Sequence, residues 1–302
     1  MAHQELGGRP TPTCSPSKVA PPQGGMWPDR QPNGSTPLRP SCLVQRRAEM
    51  ASSISGNHQD QPSRSHPEGQ SLPSRAPKRI GLIGGLGPPS TVHYYQALLN
   101  DHAARGVPAH LFIAHADMGH ALGFVAANDK LGLAQYLASL LHSLAGAGAT
   151  FAAVSAVTPH LCMPELKGLS PLPLVDIVDV LIRCLHERQV SRVALLGTRF
   201  TMESRLFGRL EDVDVIDLAP ADIEEVHRVY LSIASNDGAS PADTIFLKEL
   251  CRRLHEDKGA QTIVLAGTEL SLVLREGEEA FPLIDCAKAH VEAITIQAVE
   301  TV

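Results

Sequence analysis

One pattern occurs twice in this chain and narrows its fold more than any other feature. Arg79-Ile80-Gly81-Leu82-Ile83 is an apolar run that ends in Gly84-Gly85, and Arg192-Val193-Ala194-Leu195-Leu196 is another that ends in Gly197-Thr198. Each is followed by a second apolar run that breaks into small and polar residues. In the first half this is Ala153-Val154-Ser155-Ala156-Val157-Thr158-Pro159-His160, and in the second Val264-Leu265-Ala266-Gly267-Thr268-Glu269-Leu270. From Arg79 to Ala156 is 77 positions, and from Arg192 to Gly267 is 75. Short continuous apolar runs bounded by turn residues and separated by helical patterns are what parallel strands buried on both faces look like in sequence. The spacing therefore predicts an α/β fold of two tandem, pseudo-symmetric parallel-sheet units, with a site in the cleft between them where strand carboxyl ends present their turns.

The rest of the chain fits around these runs. The first unit is expected over 78–190. It contains a helix over about 91–105, a strand over 110–116, a loop holding His120, and a helix over 131–147 whose leucines share one face and which Gly146 and Gly148 end. A short helix to Lys167, a strand at 172–175 and a helix over 176–188 complete it. The second unit is expected over 191–285, with a short strand at 213–217, helices over 222–235 and 241–257, and a last strand at 281–284. A C-terminal helix over 286–302 is expected to pack back on the first unit.

Residues 1–77 contrast with all of this. They are rich in Pro, Ser, Gly, Gln and Arg and lack apolar periodicity, so they are read as a disordered tail that buries too little apolar surface to offset its ordering entropy. The tail has no apolar stretch of secretory type, and Glu5, Asp29, Glu49, Asp60 and Glu68 make it unlike an acid-poor transit peptide. Met50 offers a later start.

Composition excludes several classes. Hydrophobic residues make up 43% but aromatics only 4%, which argues against a β-sandwich. A formal charge of -6 gives no reason to expect nucleic acid or an anionic membrane as partner. No run approaches the roughly 18 apolar residues of a membrane span. Six cysteines without a C-x-x-C pair or framework spacing fit free thiols in a cytoplasmic protein.

The glycine turn at 84–91 invites a dinucleotide-binding reading, but Ser90 stands at the third glycine position, and Pro88-Pro89 removes N–H donors where a pyrophosphate needs them. No Lys-Ser/Thr follows, so a P-loop is excluded. The turn better suits a small carboxylate held by backbone N–H groups near Gly85 and by the Thr91 hydroxyl. The fourteen histidines are scattered. His115 and His120 flank Asp117 without ligand spacing on a helix face, so no metal site is expected.

Several motifs in register carry a resemblance. Ile80 to Tyr95, the strand ending in Thr158-Pro159-His160, the run 197–202, Gly267-Thr268-Glu269-Leu270 and Pro282-Leu283-Ile284-Asp285 resemble the aspartate/glutamate racemase family, from Lys78 to the C-terminus. The resemblance implies a homodimer of two-domain α/β subunits. It also implies a small amino acid or dicarboxylate in the cleft, one cysteine on each side of its α-carbon, and no pyridoxal phosphate or other cofactor. Thiols suit such chemistry because their pKa lies near working pH, so each can take or give a proton.

At the first cysteine position this chain has Ala156, at the second Gly267, and where the family commonly has Asn after the first cysteine it has Val157. Cys162, six residues past Ala156, reads as a packing thiol. The remaining acid–base candidates are Glu269 and His160, one at each turn. Gly85, Thr91, Asp117, Ser155, Val157, Thr158, Thr198, Thr201 and Thr268 are the candidates for substrate contact. Two readings stay open: a racemase-like enzyme in which Glu269 and His160 replace thiols, and a non-catalytic relative that keeps the fold and binds a small carboxylate or serves a regulatory role.

Overall fold

A computed structural model describes residues 78–235 and 238–300. The segment 1–77, expected as a disordered tail, lies outside the described residues. Two four-stranded parallel sheets form the frame, as the repeat requires. In the first, β1 (Ile80–Gly84), β2 (Leu111–His115), β3 (Phe151–Val154) and β4 (Leu174–Val175) lie in the order β2-β1-β3-β4. In the second, β5 (Arg192–Gly197), β6 (Asp214–Val215), β7 (Thr262–Ala266) and β8 (Leu283–Asp285) lie in the order β6-β5-β7-β8. The two orders are the same permutation. The central strands pair in matching register, Ile83 beside Val154 in one sheet and Leu196 beside Leu265 in the other. Strands β1, β3 and β7 are buried along their whole length and β5 everywhere but Arg192, which is why they read as continuous apolar runs.

The helices connect and cover the sheets. They are α1 (Pro88–Ala104), α2 (Met118–Ala126), α3 (Lys130–Ala147), α4 (Met163–Leu169), α5 (Ile177–Glu187), α6 (Arg199–Glu203), α7 (Pro220–Ala234), α8 (Pro241–Glu256) and α9 (Cys286–Val299). Pro88 and Pro89 fall inside the first turn of α1 rather than before it, because those positions have no intrahelical N–H bond to lose. Helix α3 ends where expected: Gly148 takes φ 102°, and the N–H groups of Gly148 and Ala149 close on Ala145 and Leu144.

One element departs from the sequence reading. The segment read as a loop around His120 is α2, capped by the Asp117 carboxylate, which accepts from His120 N–H at 2.6 Å. Its Gly119 and Gly123 weaken the helical pattern in the sequence.

The two halves exchange helices. Ile177, Val178, Leu181 and Leu185 of α5 share one buried cluster with Val193, Leu195 and Val264 of the second sheet. Ala287, Val291 and Ile294 of α9 share another with Ile80, Leu82 and Phe151 of the first. Each sheet is thus covered on one face by a helix that follows the last strand of the other. Burial of these apolar side chains stabilises by about 1.5–3 kcal/mol each, so the exchange ties the sheets into one unit and brings their strand ends together.

Candidate functional site

The turns after β1, β3 and β5 converge on a cavity of about 520 Å³. Its floor carries Leu86, Ala156, Thr158 and Thr198. One wall is the face of α2 that presents Met118, Ala121, Leu122 and Val125, and the opposite wall is the face of α7 that presents His227, Tyr230, Leu231 and Ala234. Both sets follow the i, i+3, i+4, i+7 spacing that puts residues on one side of a helix. Arg199, Phe200 and Glu203 of α6 complete the lining. A larger cleft of about 650 Å³ lies beside α1 and α9. It holds neither cysteine position, and its Glu276 is already paired with Arg188 and Lys288.

Ala156 and Gly267, which the resemblance aligns with the two cysteines, differ sharply in their surroundings. Ala156 lines the cavity, while Gly267 is covered. A β-carbon built on Gly267 would stand 2.7 Å from Cε2 and 2.9 Å from Cδ2 of Tyr230, and 3.0 Å from the Gly197 α-carbon. The Tyr230 ring therefore occupies the volume that a side chain at position 267 would need.

Behind that ring sits Glu269, fully buried. Thr268 Oγ1 donates to its Oε2 at 2.9 Å, and the Tyr230 hydroxyl stands beside the same carboxyl. Oε1 has no well-aligned partner among the described residues, and it rests against Gly87, where a β-carbon would come within 1.7 Å. Burial pushes the Glu269 carboxyl above its ordinary pKa, against the opposing influence of Tyr230 and Thr268. The Tyr230 hydroxyl is pushed well up by its own burial and by the neighbouring Glu269. Glu269 thus touches a residue that lines the cavity but does not line it itself.

His160 is sequestered. Its Nε2 accepts from Ile177 N–H at 3.4 Å, which leaves the proton on Nδ1, where it donates to the Ala156 carbonyl at 2.9 Å. Burial lowers its pKa, with Asp176, 3.9 Å from Nε2, acting in the other direction. Asp176, buried beside Lys167 at 3.1 Å and Arg209 at 3.0 Å, is held down to about 2 although burial alone would raise it; His160, Arg209 and Lys167 outweigh the desolvation. His160 belongs to this buried network and does not line the cavity.

Most of the other hydroxyls are engaged by main-chain groups. Thr91 Oγ1 accepts from Gly85 N–H at 2.8 Å and donates to the Gly87 carbonyl at 3.1 Å, so Gly85 and Thr91 satisfy each other inside the turn. Gly85, at φ 87°, also lies against His115 and the Ala116 carbonyl, where no β-carbon fits. Ser155 Oγ donates to the Ile83 carbonyl, and Ser90 Oγ to that of Ser155. Val157 packs into the cluster beneath α5. Asp117 is the cap of α2.

Thr198 Oγ1 caps α6, accepting from Thr201 N–H at 3.2 Å, but it and Thr158 both line the cavity. Their Oγ1 atoms are 3.2 Å apart across the two units, and Thr201 Oγ1 lies 2.8 Å behind Thr198. Of the residues singled out from sequence, Ala156, Thr158 and Thr198 line the cavity, Gly267 and Glu269 lie behind Tyr230, and Thr201 lies behind Thr198. The sequence reading missed both helical walls, Tyr230 above all. Their signal was the i, i+3, i+4, i+7 spacing on α2 and α7.

His227 completes the polar set. Its Nδ1 accepts from Arg199 N–H at 3.3 Å, so its proton resides on Nε2, and burial and then Arg199 lower its pKa, keeping the ring neutral. Cys162 and Cys251 are buried thiols pushed up to about 12 by desolvation, and neither lines the cavity. Among the described residues no group of three or more His, Cys, Asp or Glu is placed to hold a metal ion, and no helix is long and apolar enough to cross a membrane.

Comparison with known proteins agrees with this architecture. The family model for Asp/Glu/hydantoin racemase matches residues 83–294. A crystal structure of an Asp/Glu racemase candidate from Yersinia pestis superimposes with TM-score 0.66 at 27% identity, covering 74% of this chain and all of that one. An aspartate racemase homologue from Pyrococcus horikoshii gives TM-score 0.63 at 25% identity over the same shares. An uncharacterized protein in the pnlA 3' region of Pectobacterium carotovorum subsp. carotovorum is 26% identical over 118 residues, which is 39% of this chain and 79% of that protein.

Proposed function

This chain belongs to the Asp/Glu/hydantoin racemase family, and we propose that within it the chain binds a small carboxylate in the cavity between α2 and α7 without two-thiol racemisation. The observation that carries this reading is the Tyr230 ring seated on Gly267. Inversion at an α-carbon needs one group to remove a proton and another to deliver one on the opposite face. On one side of the cavity stands the methyl of Ala156, and on the other an aromatic ring. Each positioned acid or base typically contributes about 10²–10⁴-fold, so the lack of both leaves little two-base catalysis. Binding requires less. The Thr158 and Thr198 hydroxyls, at adjoining turns of the two units, can both donate to a carboxylate, with the His227 Nε2–H as a further donor from α7. His160, bonded through both nitrogens inside the protein, is a positioning residue for the Ala156 turn.

Glu269 favours a second reading. With Tyr230 it forms a proton-bearing pair adjoining the cavity from one side, and a carrier on one side returns a proton to the face it was taken from. That chemistry is exchange with retention. The full-length chain should therefore be incubated in D₂O with L-aspartate, L-glutamate and related carboxylates, following α-deuteration by NMR and configuration by chiral chromatography. Binding without deuteration supports the proposal. Deuteration with retention assigns the chemistry to the Tyr230–Glu269 pair. Deuteration with inversion overturns the proposal and restores a two-base racemase.

A further inference from the structure

The cavity also carries information about what fills it. Resting on the binding role proposed above, we propose that the occupant is a monocarboxylate bearing an apolar group of leucine size or larger, and not a dicarboxylate. Its neutral hydrogen-bonding side chains are few: Thr158 and Thr198, whose hydroxyls stand 3.2 Å apart, and His227 from α7, which accepts from the N–H of Arg199 next to Thr198. The rest of the lining is mostly apolar, with Leu122 and Val125 from α2, Leu231 and Ala234 from α7, and Phe200 from α6.

A second carboxylate would have to lie against these walls. Among the described residues of the lining, the only lysine or arginine is Arg199, whose guanidinium is bound to Glu224. Glu203, the one acidic group among them, repels a further anion. A carboxylate buried without a cation or donors forfeits its hydration with nothing in return, whereas an alkyl or aryl group there gains by leaving water. The half-exposed Leu122 and Leu231 are the side chains such a group would cover. A cavity with an apolar body and a few convergent polar groups is the usual form of a site that orients a small molecule by one polar end.

Isothermal titration of the full-length chain decides the matter, with 4-methylpentanoate, 3-phenylpropanoate, L-leucine and D-leucine in one arm and glutarate, succinate, L-aspartate and L-glutamate in the other. The expected result is that the tightest monocarboxylate binds at least about tenfold more strongly than any dicarboxylate, a difference of about 1.4 kcal/mol. The leucine enantiomers against 4-methylpentanoate report whether an amine is also recognised. Thr158→Val should weaken every ligand that binds. Leu122→Lys, at a half-exposed position that tolerates charge, should weaken the apolar acids and improve glutarate. If a dicarboxylate binds tightest to the wild type, this inference falls while the binding role stands. If no acid of either arm binds, both fall together.

Discussion

The turns after β3 and β7 occupy equivalent places in two sheets of the same strand order, yet Ala156 and Gly267, the residues there, are packed differently. Ala156 is among the residues that line the cavity, so it has open space beside it. At Gly267 the room is taken, since Tyr230 from α7 fills it and Glu269 sits behind the ring. An open position can regain a side chain without disturbing its neighbours, whereas a filled one cannot. Fold symmetry therefore says where two equivalent groups would stand, and local packing decides whether either can return.

The largest expected effect on this contrast comes from removing the filler. Tyr230→Ala takes an aromatic ring out of a buried position and leaves Glu269 short of a neighbour, which should destabilise by about 3–5 kcal/mol in urea denaturation. Gly267→Ala comes next. Its methyl would meet the ring at 2.7 Å, and overpacking of this kind costs about 1–3 kcal/mol.

Acid sensitivity should follow from the buried histidines rather than from the cavity. His290 is fully buried; its Nε2 donates to the Val175 carbonyl at 3.0 Å and its Nδ1 accepts from the Tyr94 hydroxyl at 3.0 Å, and burial followed by neighbouring His160 lowers its pKa to about 3. A histidine whose folded pKa lies below its unfolded value binds its proton more readily when unfolded. Its contribution is fully present above about pH 6.5 and is lost as pH falls from there toward 3, with a slope approaching about 1.4 kcal/mol per pH unit. His290→Gln should flatten that slope in denaturation series at pH 7, 6 and 5, even if it lowers stability at pH 7. An unchanged slope would remove His290 from the explanation.

Ala156→Cys should do least, costing less than about 1 kcal/mol, because the one added sulfur has the cavity beside it rather than an aromatic ring. Its thiol should add one equivalent of reactivity toward a small alkylating reagent. A cysteine at 156 that resists modification and destabilises as Gly267→Ala does would erase the contrast between the two turns.

The strands were readable because burial on both faces leaves unbroken apolar runs, and the repeat of those runs carried the division into two parallel sheets; the order of strands within each sheet is set by packing that the runs do not reveal. Thr158 and Thr198 were readable because they stand in the turns just after strand ends. Thr91, Ser155 and Asp117 looked equally suitable, and nothing in their identity reveals that each is taken up by a main-chain group, Ser155 by the Ile83 carbonyl of the neighbouring strand; that depends on where the nearby N–H and carbonyl groups point. Helix α2 was obscured by its two glycines. Tyr230 sits among the apolar residues of an amphipathic helix, where an aromatic reads as core, and its role emerges only from the absent β-carbon of a residue 37 positions away in sequence.

The central claim, that Tyr230 stands in the place of a second reacting side chain, is tested most directly by a double-mutant cycle between Gly267→Ala and Tyr230→Ala, read as unfolding free energies. If the ring is what fills the position, most of the cost of the added methyl should vanish in the Tyr230→Ala background, giving a coupling of about 1 kcal/mol or more. An equal cost of Gly267→Ala in both backgrounds would contradict the account.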